Sequence, residues 1–151
     1  MIEEKYPYNL PIWRRSHHQE SPNRHMVAEI DPAYEVSMSN PTIGTLKISC
    51  GITLSNCNPS FIWSDDSRYL AVPHFFYWGF LFRKQRLVII DVVDRLGYAS
   101  KMHTWYFQPK TFNNGTLVVT VEPFRSANDI EWLIPQDITT FKPIVLNSSQ
   151  L

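Results

Sequence analysis

Glycine is scarce in this chain, five residues of 151 against eleven prolines, while aromatics make up 14%. That balance suits a sheet-rich domain with stiff connections better than a helical bundle. Cysteine is nearly absent. Cys50 and Cys57 are the only two, and in a reducing compartment they read as small buried thiols, although a bridge closing the hairpin at residues 51–56 is geometrically conceivable. Charge of one sign is missing too: fourteen basic and fourteen acidic side chains cancel, which removes the electrostatic argument for nucleic acid or an anionic membrane as the main partner. No apolar run approaches the roughly eighteen residues of a spanning helix. Residues 1–15 open with acids rather than with the basic-then-apolar pattern of a secretion signal, so a cytoplasmic protein is expected. Catalytic signatures are also lacking. There is no phosphate loop, dinucleotide fingerprint, zinc-ligand spacing or nucleophile elbow, and His74 and His103 have no Ser or Cys nucleophile in a recognisable context. The expectation is a protein that is not an enzyme and needs neither cofactor nor metal.

What the chain does have is concentrated in residues 61–93. Phe61-Ile62-Trp63 is a short apolar run, Ser64-Asp65-Asp66-Ser67 is turn chemistry, and Tyr69-Leu70-Ala71-Val72 resumes the run until Pro73, which reads as a hairpin. Asp65 and Asp66 are adjacent on a turn and so cannot work as an acid/base couple; Asp66 is expected to cap the amides of its own turn. Residues 86–93, Arg-Leu-Val-Ile-Ile-Asp-Val-Val, are β-branched and continuously apolar, the composition of a strand buried on both faces.

The rest of the chain fits a single β domain. Residues 1–20 read as an extended arm without periodicity, with His17 and His18 exposed on it. Residues 21–125 carry the sheet core: short alternating runs separated by Pro, Asn and Gly, including a tight connection at Asn113-Asn114-Gly115 before the strand at residues 116–121. Residues 126–151 change character, with Ser126 as a cap for a short helix reaching Leu133 that Pro135 stops, then a tail, residues 137–151, that is irregular or a final edge strand with loose last residues.

Aligning the turns exposes a repeat. Ser21-Pro22-Asn23-Arg24-His25-Met26-Val27-Ala28 lies without gaps on Ser64-Asp65-Asp66-Ser67-Arg68-Tyr69-Leu70-Ala71, 43 residues later. Trp105-Tyr106-Phe107-Gln108-Pro109 followed by the strand at Leu117 repeats the scheme of aromatic, turn and apolar strand. The pattern Phe61-x-Trp63-Ser64-x-Asp66-Ser67-x-x-Leu70-Ala71, with Leu87-Val88-Ile89-Ile90-Asp91 after it, resembles the blades of β-propellers of the WD-repeat kind. Three units cannot close a ring of the usual four to eight blades. The expected fold is therefore mainly β, one or more open, twisted antiparallel sheets built from blade-like hairpins, with at most one short C-terminal helix, and not a closed propeller.

A second resemblance lies in residues 63–73, preceded by Asn40-Pro41-Thr42-Ile43-Gly44-Thr45-Leu46 and followed by Gln85-Arg86-Leu87-Val88-Ile89-Ile90-Asp91. This phrase is similar to small bacterial immunity proteins, single-domain inhibitors of interbacterial toxins. It implies a non-catalytic protein that neutralises a protein partner by covering it, and it implies no site residues. The residues themselves point to 74–86, where six aromatics in nine residues precede three cations in four. Trp, Tyr and Arg are the commonest anchors of binding surfaces. His74, Tyr77, Trp78, Arg83, Lys84 and Arg86 are the candidate partner-binding residues, with Tyr77 or Trp78 as anchor and the cations steering an acidic partner. The same run read as hairpin core leaves one apolar face still needing a cover. A structural module acting as a homo-oligomer, or a small-molecule enzyme, are the alternative functions.

Overall fold

The computed structural model describes residues 12–35, 41–78, 82–121 and 128–148, with backbone alone at Tyr77, Trp78, Phe82, Arg83 and Ser148. The chain is mainly β. Its strands are β1 (His17–Glu20), β2 (Val27–Tyr34), β3 (Ile43–Ile48), β4 (Ile52–Cys57), β5 (Ile62–Trp63), β6 (Tyr69–Trp78), β7 (Phe82–Asp91), β8 (Leu96–Thr104), β9 (Phe107–Asn113), β10 (Thr116–Val121), β11 (Asn128–Leu133), β12 (Lys142–Ile144) and β13 (Asn147–Ser148). A single 3-10 turn, Asp137–Thr140, accompanies them among the described residues. The large antiparallel sheet runs β1-β2-β3-β4-β6-β7-β8-β12, with β5 added to β6 and β13 to β4; β11-β10-β9 form a second sheet. Both sheets are open.

The hairpin β6–β7 is the spine. Its ten pairs run from Tyr69↔Asp91 to Trp78↔Phe82, and alternation sends its two sets of side chains to two cores. Leu70, Val72, Val88 and Ile90 join Ala28, Ile30, Leu46, Leu54 and Trp63 on one face. Tyr69, Ala71, Leu87 and Ile89 meet Phe107, Phe112, Leu117 and Val119 of the second sheet on the other. The run at residues 87–90 is thus buried on both sides, as its continuous apolarity requires. Pro73 does not end β6. It sits where the neighbour of β6 changes from β5, paired at Leu70 and Ala71, to β4, paired at His74, a position at which no ladder N–H is needed.

The duplicated turn is real in atomic detail. In the first copy the Ser21 amide donates to the Met26 carbonyl and the Arg24 amide to the Ser21 carbonyl. Ser21 Oγ donates to Asn23 Oδ1, which also accepts from the His25 amide, and the Met26 amide donates to Ser21 Oγ. The second copy repeats all five bonds on Ser64, Asp66, Ser67, Arg68 and Tyr69. Arg24 and Ser67 share a positive φ, 63° and 65°. Asp66 caps its turn as its residue type suggested. The third unit departs from the pattern. Phe107–Asn113 is itself a strand, and the turn is the two-residue Asn114 and Gly115, both at positive φ, as a tight hairpin demands.

Three further expectations need correction. Asn128–Leu133 is strand β11, not a helix, because Ile130 and Trp132 alternate toward the Phe107 core while Asp129, Glu131 and Leu133 face out; this is a period of two rather than 3.6. Ser126 lies outside the described residues. The arm at residues 1–20 is ordered at its end, where β1 pairs with β2. His17 on that strand is buried against the Phe61 ring, at 4.6 Å between centroids, rather than exposed; His18 is exposed. Both thiols are free. Cys57, fully buried, donates to the Leu54 carbonyl, and burial pushes its pKa far up.

The tail then straps the large sheet. β12 pairs with β8 and, after Val145 and Leu146 alone, β13 pairs with β4. Such a short crossing between strands that have β6 and β7 between them shows how far the sheet curls. Ile144 and Leu146 cover the Trp63 core, and Gly97 lets them approach.

Candidate partner-binding surface

Toward the connection between β6 and β7 the two core faces part ways. On the face of Leu87 and Ile89 the next pair is Phe75↔Gln85, and both are buried. Gln85 Oε1 accepts the Phe107 amide at 2.7 Å, tying the hairpin to the second sheet. On the face of Val72 and Val88 apolarity stops. The next pairs are His74↔Arg86 and Phe76↔Lys84, and β8 adds His103 beside Arg86.

His74 is 8% exposed and its Nδ1 accepts from Arg86 Nε at 3.2 Å. An accepting Nδ1 places the ring proton on Nε2. Burial and then the Arg86 charge bring the His74 pKa down to about 4, opposed by a hydrogen bond with the Ser55 backbone. The imidazole is therefore neutral at physiological pH and orients Arg86 without cancelling its charge. The guanidinium lies 5.3 Å from the centre of the Phe76 ring, which in turn meets His103 edge-on at 5.6 Å. Lys84 Nζ sits 5.6 Å from the centre of the Trp105 ring, whose residue is 41% exposed. Cations over aromatic faces are held by the ring quadrupole.

Of the six candidate residues, the fold brings His74, Lys84 and Arg86 onto one face. Tyr77 pairs with Arg83 along the backbone at the hairpin end; the side chains of Tyr77, Trp78 and Arg83 lie outside the described residues. Whether the aromatic run is core or surface is decided ring by ring: Phe75 is buried and Phe76 half-buried. His103 and Trp105 are additional members. Their placement depends on the β7–β8 register, which shifts between Arg86 and Val88, and a bulge of that kind leaves no mark in residue spacing.

Charge is segregated along this hairpin. Between Ser67 and Val121 the only acids are Asp91 and Asp94, and both bind Arg68 at the opposite end, at 2.9 and 3.1 Å. The end bearing Lys84 and Arg86 has no acid in β6, β8 or the rest of β7. Among the described residues, no group of three or more His, Cys, Asp or Glu side chains is placed to hold a metal ion. Comparison with family models, with curated proteins and with solved structures finds no match to this chain.

Proposed function

We propose that this chain is a non-catalytic binding domain that neutralises a protein partner by covering it, through the end of β6–β7 and the adjoining end of β8. The observation that carries this reading is the acid-free cluster of Phe76, Lys84, Arg86 and Trp105, cations laid on aromatic rings at the rim of the sheet. Interfaces draw anchors from these residue types. An immunity protein against an interbacterial toxin, acting in the bacterial cytoplasm, is the concrete form, supported by the resemblance around residues 63–73. Association through the β11 and β12 edges is disfavoured: β11 carries Asp129 and Glu131 outward and β12 carries Pro143, devices that blunt edges.

The test is co-expression with the toxin-like product of the neighbouring reading frame. Growth should be rescued and a complex should survive size exclusion. Lys84→Glu combined with Trp105→Ala should abolish rescue while the melting temperature holds. Rescue by the double variant at wild-type level would move the contact elsewhere, and absence of any complex would remove the reading.

A further inference from the structure

We propose that Arg86 is a preorganised carboxylate anchor, and that the partner presents to it an Asp or Glu side chain flanked by an apolar group. The inference rests on the protein-binding reading above and adds to it the chemistry of the partner.

Two arginines on this hairpin invite comparison. Arg68 lies 5.4 Å from the centre of the Tyr69 ring and donates through Nε and Nη2 to Asp91, and through Nη2 to Asp94. It is a complete site: ring, guanidinium, carboxylates. Arg86 repeats the first two parts over Phe76, but where Arg68 has aspartates Arg86 has the neutral His74. Its Nε is committed to the imidazole. Neither Nη makes a hydrogen bond or ion pair to any described residue, the ion pairs there being Arg15–Glu35, Arg68–Asp91, Arg68–Asp94 and Lys110–Asp129.

A guanidinium that is half-buried without a counter-ion carries a desolvation cost, visible in the downward displacement of its pKa by burial. A carboxylate from outside offsets that cost and completes charge-assisted bonds to the two Nη groups. Because His74 and Phe76 fix the fork beforehand, little side-chain entropy remains to be lost on binding. An aspartate at position 74 would have satisfied Arg86 internally and left nothing for a partner. Phe76 against the fork and Trp105 against the neighbouring Lys84 suit an acid with apolar neighbours. A phosphodiester strand is less suited, since it needs a track of cations spaced along its backbone, and among the described side chains of β6 and β7 this end presents a single fork beside the ring-bound Lys84.

The experiment is a titration of the whole protein with the N-acetylated, C-amidated peptides Gly-Phe-Glu-Phe-Gly and Gly-Phe-Gln-Phe-Gly, in which the Glu side chain is the only carboxylate, following the Arg86 Nε–H and Trp105 indole signals by NMR. The glutamate peptide should move both signals, and the glutamine peptide should bind about tenfold more weakly, the usual value of one charge-assisted contact. Arg86→Lys keeps the charge but loses the fork, and should weaken the glutamate peptide severalfold with the melting temperature unchanged. Equal binding of the two peptides, or no movement of Arg86 with either, overturns the anchor whatever the variant does. An oligothymidylate that binds Arg86 more tightly than the glutamate peptide assigns the site to phosphate and overturns it too. Toxin rescue that is indifferent to Arg86→Lys removes the anchor and spares the protein-binding reading. Glutamate-selective binding at Arg86, with no complex to the neighbouring product, does the reverse.

Discussion

His17 and His74 are both buried and both neutral, and each has a pKa of about 4 against an ordinary 6.5. Burial is the main cause at both; Arg14 and His18 add to it at His17. Between pH 6.5 and 4 the unfolded chain takes up protons at these rings that the folded chain refuses, so stability rises with pH across that window. The contribution is complete above 6.5 and lost as pH falls to 4, by about 3 kcal/mol for each ring. Melting temperatures measured over this range should fall steadily, and His17→Phe, which also removes a buried Nε2 lacking a hydrogen-bond partner, should roughly halve the slope. An unchanged slope would mean that His17 is not the group titrating. Trp63 is the other residue on which much rests: fully buried, with Nε1 donating to the Gln19 carbonyl at 3.0 Å. Trp63→Ala should cost about 3–5 kcal/mol in chemical denaturation, enough to threaten a marginally stable domain. Its burial was legible because Trp63 closes the apolar run just before the Ser64 turn, at a place the repeat fills again with the buried aromatic Phe107. The burial of His17 was not, since nothing local to residues 12–20 announces that β2 and Phe61 will flank it.

At the scale of elements, what could be read from the chain was whatever local chemistry decides. The hairpin around Ser64, the doubly buried strand at residues 87–90 and the tight turn at Asn114 each rest on neighbours within a few residues. Partners far along the chain decided the rest. β11 looked like a helix start because Ser126 and Asp129 mimic a cap, yet Val118↔Glu131 and Val119↔Ile130 pairing made it an edge strand. The binding surface was half legible: Lys84 and Arg86 stand out by composition, whereas His103 and Trp105 arrive through pairing of β8. A final edge strand is one reading of residues 137–151, and β12 is one; the crossing to β13 that makes a strap gave no sign, being set by three- and two-residue strands. Gly97 is its clearest dependency, because a Cβ there would lie 2.8 Å from Leu146 Cδ2 and 2.9 Å from Ile144 Cγ1. Gly97→Val should therefore lift the strap, costing roughly 1–3 kcal/mol as overpacking does. Limited proteolysis should then cut within residues 142–148 sooner than in the parent, while the Arg86 signals stay in place. Equal cutting rates would show that the strap yields without detaching.

Across the whole molecule, a net charge of zero conceals a division. Arg68, Asp91 and Asp94 settle their charges among themselves at one end of β6–β7, and the other end keeps Lys84 and Arg86 with no acid near in the strands around them. Association with an acidic partner should consequently slow as salt rises from 50 to 500 mM, with dissociation changing less. A salt-independent association rate in stopped flow would contradict this. The quieter end has its own logic. The Asn23 amide of the first turn donates to Ser67 Oγ of the second, and Asp65 of the second accepts from the Asn114 amide while its own amide donates to the Phe112 carbonyl. These contacts are head-to-tail: the second copy uses one flank to hold the turn before it and the other to hold the turn after, the way heterologous subunits add in a ring or filament. Arg24, standing where the second copy has Ser67, could not offer the same short hydroxyl, so the order of the copies is fixed and they cannot trade places. The third hairpin turns on Asn114 and Gly115 alone, without the Ser-x-Asx cage of the first two copies.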